Sequence, residues 1–575
     1  MAVGRQALVI GLVIPFLVAV GGYATAAQSA GTLLRDTEEV DNVNASGQEM
    51  EPGEVEIGTQ FRAKLGGELD LVIPIKSFEF IGNKNVSTAE LQKLVKGYIS
   101  KSLTFAELQQ VVEKVAGVFR KKGLLAQVYL PPQKIQSGVI KIQITEGKLG
   151  GFRIDSQDQS LRVNENFIQN VLKTAESPDG RLDMSTLQNA LRTLQELPGI
   201  SASGTLVPDA KNSLTDVIVR ISNKPVTSGY VRTDNSGTQT TGAYRGLGVI
   251  SFDSPFRRAE QLNLQVAGST GSLYGRFGGS FPIGYYGYRG GFYLSNLHYA
   301  MGGVMKALNA MGNAQAYGLE VTRTLNRTKT FSLIGVVQVE RKQYQDSQLS
   351  VETDNKYVNA ATVRLNIDSL DLVGQGGVNM FNFGLMRGRL NLGGNAADLA
   401  TDQETTQRQG NFTKLLYSFA RTQKISDKTK LWLAFNGQLS SKNLDSSEQY
   451  SLGGPTAVRA YPVGEASGDY GCVFTAELRH SVTANAMLVA FADYGHIVLN
   501  KNLWSGWNDA TPTIPNHYSL KGVGVGARYA KSGSFEASLD VTTNMGANPA
   551  VSLLTDGEGD ESHHFRAWFF ISKYF

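Results

Sequence analysis

The chain has 575 residues, which is more than one ordinary domain core accommodates, so two or more domains are expected. Its 63 glycines, with only 18% charged and 41% hydrophobic residues, do not describe a standard globular enzyme, for which about 25% and about 45–50% are usual. The net charge of +4 is too small to indicate a nucleic-acid-binding protein.

The first 26 residues predict a secretory signal peptide. Arg5 precedes an apolar run over residues 7–20, and Ala24, Thr25 and Ala26 then offer a small-residue cleavage site. A membrane anchor is the alternative, but this run is shorter than the ~20 residues that a helix needs to cross a bilayer. We therefore expect export, with cleavage after Ala26.

Residues 27–72 form an acidic segment with two open interpretations. Eight Asp and Glu residues lie between Asp36 and Glu56, interspersed with Gly, Asn and Pro. This composition is typical of a solvated linker. Alternatively, residues 32–43 form one short helix within it.

Residues 73–150 are predicted to form one small α/β unit. Alternation over residues 75–81 indicates a strand, helices are predicted from Ser87 and from Thr104, and strands over 125–130 and 139–145 close the unit. The same β-α-α-β-β order recurs over residues 151–225. Three-stranded sheets have free edges that readily accept an extended peptide, so the two units indicate a binding arm rather than an active site.

Residues 226–575 lose the helical pattern and show sixteen runs of about ten alternating positions, separated by Gly, Asn, Asp and Ser turns. The runs start near residues 226, 244, 260, 272, 288, 314, 329, 356, 376, 411, 430, 471, 485, 517, 534 and 563. An even number of strands of this length predicts a closed antiparallel membrane barrel. A soluble sandwich is the alternative, but its strands are usually shorter, and the signal peptide and aromatic C-terminal strand favour the outer membrane.

The strongest constellation of polar residues involves the long connection between the eleventh and twelfth runs. This connection contains Arg459, while alternation places Asp493 and Glu477 on the lumen face, because an ionised carboxylate facing lipid would be costly. An arginine folded into the lumen would bind both carboxylates through charge-assisted hydrogen bonds. The alternative is that Arg459 is a solvated loop residue.

Several motifs, taken in order, resemble those of the TpsB translocators of two-partner secretion. Val458-Arg459-Ala460-Tyr461 is similar to the family's V-R-G-Y loop, with Ala460 where glycine is usual, and Phe491 and Asp493 are similar to its F-x-D strand motif. Residues 234–245 are similar to the start of its barrel. The closing part of its first POTRA domain, a periplasmic binding module, is similar to the segment containing Tyr129, Pro131, Pro132, Gln133, Gly138, Glu146 and Gly147.

This resemblance implies a membrane all-β barrel of about 16 antiparallel strands (residues 226–575), preceded by two small α/β POTRA domains (73–150 and 151–225). It implies that the POTRA domains lie in the periplasm and capture a large unfolded exoprotein of the TpsA type. The barrel in the Gram-negative outer membrane then passes this protein to the cell surface. A helix over residues 32–43 would plug the lumen.

The resemblance also implies roles for individual residues and further partners. Arg459 would hold the loop inside the barrel against Asp493, with Glu477 as the second acceptor. A C-terminal strand signal is expected at Phe569, Ile571 and Phe575. Outer-membrane lipid and the barrel-assembly machinery are the other expected partners.

Two rival functions share some of these features. An insertase that assembles other barrel proteins would carry the loop and strand motifs, but that branch typically has more than two POTRA repeats. A diffusion porin would not need two periplasmic modules.

Nothing indicates catalysis: the glycine-rich run over residues 522–526 lies in strand context, the six histidines lack H-E-x-x-H spacing, and no G-x-S-x-G motif occurs. We expect no enzymatic activity, no cofactor and no metal.

Overall fold

The computed structural model describes residues 29–46, 58–59, 73–122, 124, 126–131, 133, 138–146, 148–176, 184–209, 214–328, 330–509, 514–549 and 565–575. The expected signal peptide and its cleavage site lie outside these residues, as do Pro132 and Gly147. No helix in these ranges is both long and apolar enough to cross a membrane.

Two elements precede the first α/β unit: helix α1 (Ala30–Ser46) and the two-residue strand β1 (Gly58–Thr59). Helix α1 contains the segment 32–43 that the sequence left open between linker and helix. Its Leu33 and Leu34 are buried in one cluster with Tyr274 and Tyr344 of the barrel wall. The start of this helix therefore lies inside the barrel.

The first α/β unit has a three-stranded sheet in which β6 (Val139–Glu146) lies between β3 (Ser77–Ile81) and β5 (Ala126–Tyr129). Its first helix begins at the N-cap Ser87, whose side chain accepts from the Glu90 backbone N–H. Its second helix begins with a capping box, because the Thr104 backbone N–H donates to Glu107 Oε2 at 2.7 Å. The elements are β2 (Ile73–Pro74), β3 (Ser77–Ile81), α2 (Thr88–Val95), β4 (Ser102–Leu103), α3 (Phe105–Lys121), β5 (Ala126–Tyr129) and β6 (Val139–Glu146).

The second α/β unit has a four-stranded sheet, one strand more than expected. Its own elements are β7 (Lys148–Asp155), α4 (Glu165–Lys173), α5 (Met184–Gln195), β8 (Ile200–Asp209) and β9 (Leu214–Asn223). The additional strand is β1, which pairs in parallel with β8 so that Gly58 lies opposite Thr205. The expectation of two free edges is therefore wrong for this unit, because the preceding segment of the same chain covers the edge of β8.

The remainder of the chain forms a closed antiparallel barrel, and the expected number of sixteen strands is confirmed. The barrel strands are β10 (Thr227–Asp234), β11 (Arg245–Asp253), β12 (Gln261–Gly268), β13 (Ser272–Ile283), β14 (Tyr288–Ala300), β15 (Met311–Arg327), β16 (Phe331–Gln348), β17 (Val351–Asp371), β18 (Gly377–Asn391), β19 (Gly410–Lys424), β20 (Thr429–Ser440), β23 (Tyr470–Ser481), β24 (Ala486–Val498), β25 (His517–Lys531), β26 (Phe535–Asn544) and β27 (Arg566–Tyr574). Among the described residues, one further α-helix follows α5, namely α6 (Ala396–Glu404) between β18 and β19, and short 3-10 helices lie at Gly303–Leu308 and Ser446–Glu448. Strands β21 (Tyr450–Ser451) and β22 (Ser467–Gly468) form a separate ribbon between β20 and β23.

Side chains alternate between the two faces of the barrel wall as the sequence predicts. On β24, Leu488 is 56% exposed on the outer face, whereas Asp493 is 3% exposed on the lumen side. Strands β15–β19 have 15 to 21 residues and are longer than the expected ten. Because a membrane strand needs only about 9–11 residues, this wall extends beyond the membrane.

The barrel closes where its first and last strands meet. Tyr230–Asp234 of β10 pair antiparallel with residues 570–574 of β27. Strand β10 begins directly after the second α/β unit, so its first residue marks the end of the barrel next to that unit. We call this end the arm end and the opposite one the far end.

Candidate functional site

The connection between β20 and β23 leaves the far end and folds back into the lumen. Val458 and Tyr461 are buried there in one cluster with Leu452 and lumen-facing residues of β23–β25. The Val458 N–H donates to Leu452 O at 2.8 Å and the Gly454 N–H donates to Tyr461 O at 3.0 Å, which holds the tip in a tight turn. We call residues 441–469 the lumen loop.

Arg459 lies at the tip of the lumen loop and is only 4% exposed. Its Nε and Nη2 donate to the two carboxylate oxygens of Asp493 at 2.9 and 2.8 Å, a bidentate arrangement. Its Nη1 donates to Glu477 Oε1 at 2.6 Å. The structure thus brings together the three residues that the sequence placed on the lumen side, and the solvated alternative for Arg459 is wrong.

Further contacts hold the same tip from several strands. The Arg459 guanidinium carbon lies 3.4 Å from the centre of the Phe491 ring, a cation–π contact. Thr475 Oγ1 donates to Asp493 Oδ1 at 3.0 Å. Trp568 Nε1 of the last strand donates to the Arg459 carbonyl at 2.7 Å. The side chain and the backbone of Arg459 are therefore both fixed.

Charges in this site balance. Arg459 Nη1 also lies 3.6 Å from Asp540 on β26, and Asp540 accepts from Arg528 at 2.6 Å. Glu477 accepts a second bond from Arg479 at 2.8 Å. Three guanidinium groups thus face three carboxylates, so the buried cluster carries no net charge and each carboxylate has a cationic partner.

The protonation of Arg459 follows from these neighbours. Burial by itself would lower the pKa of the guanidinium, but the hydrogen bonds and charge of Asp493, with the charges of Glu477 and Asp540, raise that pKa above its ordinary value. Arg459 therefore remains a cation inside the barrel.

The glycine-rich run on β25 makes room for the site. A Cβ on Gly522 would lie 2.7 Å from the Ala460 methyl, and one on Gly524 would lie 2.4 Å from the edge of the Phe491 ring. A Cβ on Gly526 would lie 2.0 Å from Asp540 Oδ1. The alanine at position 460, where the related motif has glycine, fits because Gly522 opposite it has no side chain.

Sequence reasoning missed Asp540 and Trp568 as parts of the site. The signal for Asp540 was available, since alternation places it opposite the outward-facing Leu539 and Val541, as it placed Asp493. Trp568 lies on the face of β27 opposite Ile571, but nothing local indicates that its indole contacts a loop 109 residues earlier.

Two further carboxylates hold the base of the lumen loop. Glu448 binds Lys342 at 3.2 Å and Lys414 at 2.6 Å; Glu448 and Lys414 are buried and Lys342 is half-buried. Asp445 binds Lys356 at 2.9 Å and Arg408 at 3.2 Å. Burial alone would raise the pKa of Glu448, but the charges of Lys342 and Lys414 lower it to about 2, so this carboxylate is ionised.

Helix α1 contacts the same loop. Arg35 Nη1 donates to the carbonyls of Ser446 and Gln449 at 2.9 and 2.7 Å. The Ala30 N–H donates to Asp346 of the barrel wall at 3.0 Å. A Cβ on Gly31 would lie 2.4 Å from Ser447 Cβ, so only glycine permits this approach. Helix and loop together occupy the lumen.

The expected POTRA residues mostly hold the first α/β unit together. The Gln133 side chain binds the backbone of Lys141 as a neighbouring strand would. It accepts from the Lys141 N–H at 2.8 Å and donates to the Lys141 carbonyl at 2.9 Å. Glu146 accepts from the backbone of residues 84 and 85 at 2.7 and 2.8 Å. Gly138 has a positive φ of 74° and packs against the Pro74 carbonyl. Tyr129 differs, since it is exposed on the edge strand β5.

The C-terminal residues lie at the barrel seam. Phe575 exchanges backbone hydrogen bonds of 3.1 and 3.0 Å with Gly229, and its ring covers that glycine. Ile571 faces outward, and the Phe569 ring packs 6.2 Å from that of Tyr244. At the far end of the seam, Asn235 pairs with the backbone of residues 567 and 569 at 2.8 Å.

Within the described ranges, no group of three or more His, Cys, Asp or Glu side chains is arranged to hold a metal ion. The single cysteine, Cys472, is half-buried on β23.

Comparison with known proteins identifies the family. Residues 214–529 match the haemolysin secretion/activation protein family ShlB/FhaC/HecB, and residues 73–147 match the ShlB-type POTRA domain. The heme/hemopexin transporter protein HuxB of Haemophilus influenzae is 27% identical over 489 residues, covering 83% of this chain and 85% of HuxB. The outer membrane transporter CdiB of Dickeya dadantii is 24% identical over 454 residues, covering 72% and 75%.

A solved structure shares the fold along nearly the whole chain. CdiB from Escherichia coli superimposes with a TM-score of 0.70 at 18% identity, covering 96% of this chain and all of CdiB. HuxB and CdiB are both transporters, and CdiB is a transporter of the outer membrane. This chain therefore belongs to the ShlB/FhaC/HecB family of haemolysin secretion/activation proteins, and is a two-partner secretion transporter of the outer membrane with POTRA domains in the periplasm.

Proposed function

We propose that this chain exports one large TpsA-type protein through its own barrel lumen, after helix α1 and the lumen loop have moved aside. The observation that carries this proposal is that the lumen contains two parts of the chain itself, which contact each other through Arg35 and Ser446. A pore that was permanently open would not need them, and a purely structural barrel would not need the periplasmic arm. Transport of this kind requires no catalytic step by the chain, so we propose that it is not an enzyme.

The periplasmic arm is the proposed capture site for the unfolded protein. Strands β3 and β5, the latter with the exposed Tyr129, are the sheet edges of the first unit, and β7 is an edge of the second that no other described strand covers. An extended chain binds such an edge through backbone hydrogen bonds, which suits a substrate recognised while unfolded. The edge of β8 is excluded as a free acceptor while β1 covers it.

We propose Arg459 as the residue that keeps the lumen loop in place, with Asp493 and Glu477 as its acceptors. We also propose that the C-terminal strand with Phe569, Ile571 and Phe575 directs the chain to the barrel-assembly machinery, since its last residue completes the seam. The exposed apolar side chains of the outer barrel face provide the contact with outer-membrane lipid.

A reversible lock tests whether the helix must leave the lumen. Ser29 Oγ lies 3.3 Å from Ser446 Oγ, so Ser29→Cys combined with Ser446→Cys places two thiols within disulfide range. Cys472→Ala supplies a background without other thiols. We expect the oxidised pair to stop export and a reductant to restore it, while each single cysteine exports normally. Export at the normal rate by the oxidised pair would contradict the proposal.

The substrate is found by comparing culture supernatants of cells with and without this chain by mass spectrometry. One large protein should disappear from the supernatant when the chain is removed. Deletion of residues 76–224 should give the same loss while other outer-membrane barrels still assemble. A general defect in barrel assembly would instead support an insertase.

A further inference from the structure

The outer face of the barrel changes abruptly from apolar to polar along strands β16–β19. One row of register-matched outward residues is entirely apolar, and the outward row four residues closer to the far end is entirely polar. The apolar row is Val337, Val363, Leu385 and Leu415, and the polar row is Arg341, Asn359, Arg389 and Asn411. Arg387 lies on the same face, in the row between them.

These outward arginines lack carboxylate partners among the described residues. Arg341 stacks on the Tyr357 ring, and its guanidinium carbon lies 4.0 Å from the ring centre. Arg387 Nη1 donates to Thr413 Oγ1 at 2.7 Å. Arg389 is exposed and makes no hydrogen bond or ion pair with any described residue. Three guanidinium groups therefore lie on one patch, and none of them is paired with a carboxylate that the structure describes.

The opposite end of the same face is organised differently. Asp371, the last residue of β17, faces outward at the arm end. It pairs there with Arg421, whose Nη1 is 2.6 Å from Asp371 Oδ2. The outward arginine near the arm end thus has a carboxylate partner within the protein, whereas no described carboxylate pairs with Arg341, Arg387 or Arg389.

The distance between these two levels matches the thickness of a membrane. Arg421 and Asn411 are ten residues apart on β19. At about 3.3 Å per residue and a strand tilt of about 40°, this corresponds to a height of about 25 Å. The lipid-facing band of an outer-membrane barrel is also about 25 Å tall. The arginines therefore lie at the outer boundary of the hydrocarbon, where lipid headgroups begin.

We propose that Arg341, Arg387 and Arg389 form a binding site for the phosphate groups of lipid A in the outer leaflet. The outer leaflet of the Gram-negative outer membrane consists of lipopolysaccharide, and its lipid A carries phosphate directly above the acyl chains. Guanidinium groups bind phosphate in a bidentate manner, and the bond is stronger at a partly dehydrated boundary than in bulk water. The neighbouring Asn359 lies between Arg341 and Arg389 in the register.

Native mass spectrometry of the full chain in non-ionic detergent tests this site, with diphosphorylated lipid A as the probe. The triple variant R341Q, R387Q and R389Q should retain at least tenfold less lipid A than the native chain, and monophosphorylated lipid A should bind the native chain more weakly. R323Q is the matched control, because Arg323 faces outward on β15 beside Tyr288 and away from the patch.

A second variant keeps all three arginines. Asn359→Asp places a carboxylate between Arg341 and Arg389, so it should compete with the phosphate and reduce lipid A binding by a similar factor. Unchanged gel mobility of the unheated barrel shows that each variant is folded. Equal lipid A retention by the native chain and by both variants would overturn the proposal. Equally tight binding of phosphatidylglycerol by the native chain would overturn the assignment to lipid A.

Discussion

Replacing Arg459 with methionine should loosen the lumen loop while the barrel wall stays intact. Methionine has no hydrogen-bond donor, so the side-chain bonds to Asp493 and Glu477 are lost. Glu477 keeps Arg479 as a partner and Asp540 keeps Arg528. Asp493 alone loses its cation, and it is only 3% exposed.

The expected magnitude follows from this single uncompensated charge. Removing one partner of a buried ion pair destabilises by about 3–5 kcal/mol. Because about 1.4 kcal/mol corresponds to a factor of ten, local opening of the lumen loop should become two to more than three orders of magnitude more frequent. Amide hydrogen exchange over residues 452–461, followed by mass spectrometry, measures this opening directly.

A double variant shows whether the charge or the lost packing is responsible. Asp493→Asn removes the uncompensated charge, so Arg459→Met with Asp493→Asn should regain at least tenfold of the lost protection. Arg479→Met is the control, because its removal leaves Glu477 paired with Arg459, and it should change protection less than tenfold. Simply additive effects of Arg459→Met and Asp493→Asn, or unchanged exchange in Arg459→Met, would show that the Arg459–Asp493 pair does not hold the lumen loop.

Three other substitutions follow from the packing and charge of the lumen. Gly524→Leu should displace the Phe491 ring and reduce export, whereas Val525→Leu, on the lipid face of the same strand, should leave export unchanged. Gly31→Val should prevent helix α1 from approaching Ser447 and raise the single-channel conductance in planar bilayers; native conductance would contradict that contact. The pKa of Glu448 lies below its ordinary value of 4.5, so its stabilisation is complete above about pH 4.5 and is lost as pH falls toward about 2. The measurement is the temperature at which half of the protein loses the gel mobility of the folded barrel. This temperature should therefore differ between Glu448→Gln and the native chain at pH 6, and the difference should shrink at pH 2.5.

Much of the fold could be predicted because it depends on local periodicity. A strand exposes alternate residues to opposite faces, so the sequence places Asp493 and Glu477 on the lumen side without knowledge of their neighbours. Turn residues mark where each run ends, and these signals led to the confirmed sixteen strands. The helix beginning at the N-cap Ser87 is equally local, since its cap lies within three residues.

The composition of the candidate site was only partly predictable. Alternation assigns a face but not a level along the barrel axis, and the level depends on the stagger between strands. Asp540 and Trp568 reach Arg459 only because β26 and β27 have the register that closes the barrel. The role of Gly522 and Gly524 was likewise not predictable from the sequence. The absence of their side chains makes room only where a loop from another part of the chain fills the space.

The strands, their faces, the tandem α/β units and the family can thus be predicted from the chain alone, because each of these depends on patterns within short segments or on motifs. The occupants of the lumen and the covering of the β8 edge depend instead on contacts between distant segments. Helix α1 reaches the lumen loop across more than 400 residues, and β1 covers β8 from a segment that reads as a linker. Such contacts depend on the closure of the whole barrel and on the path of the connections, which no local pattern contains.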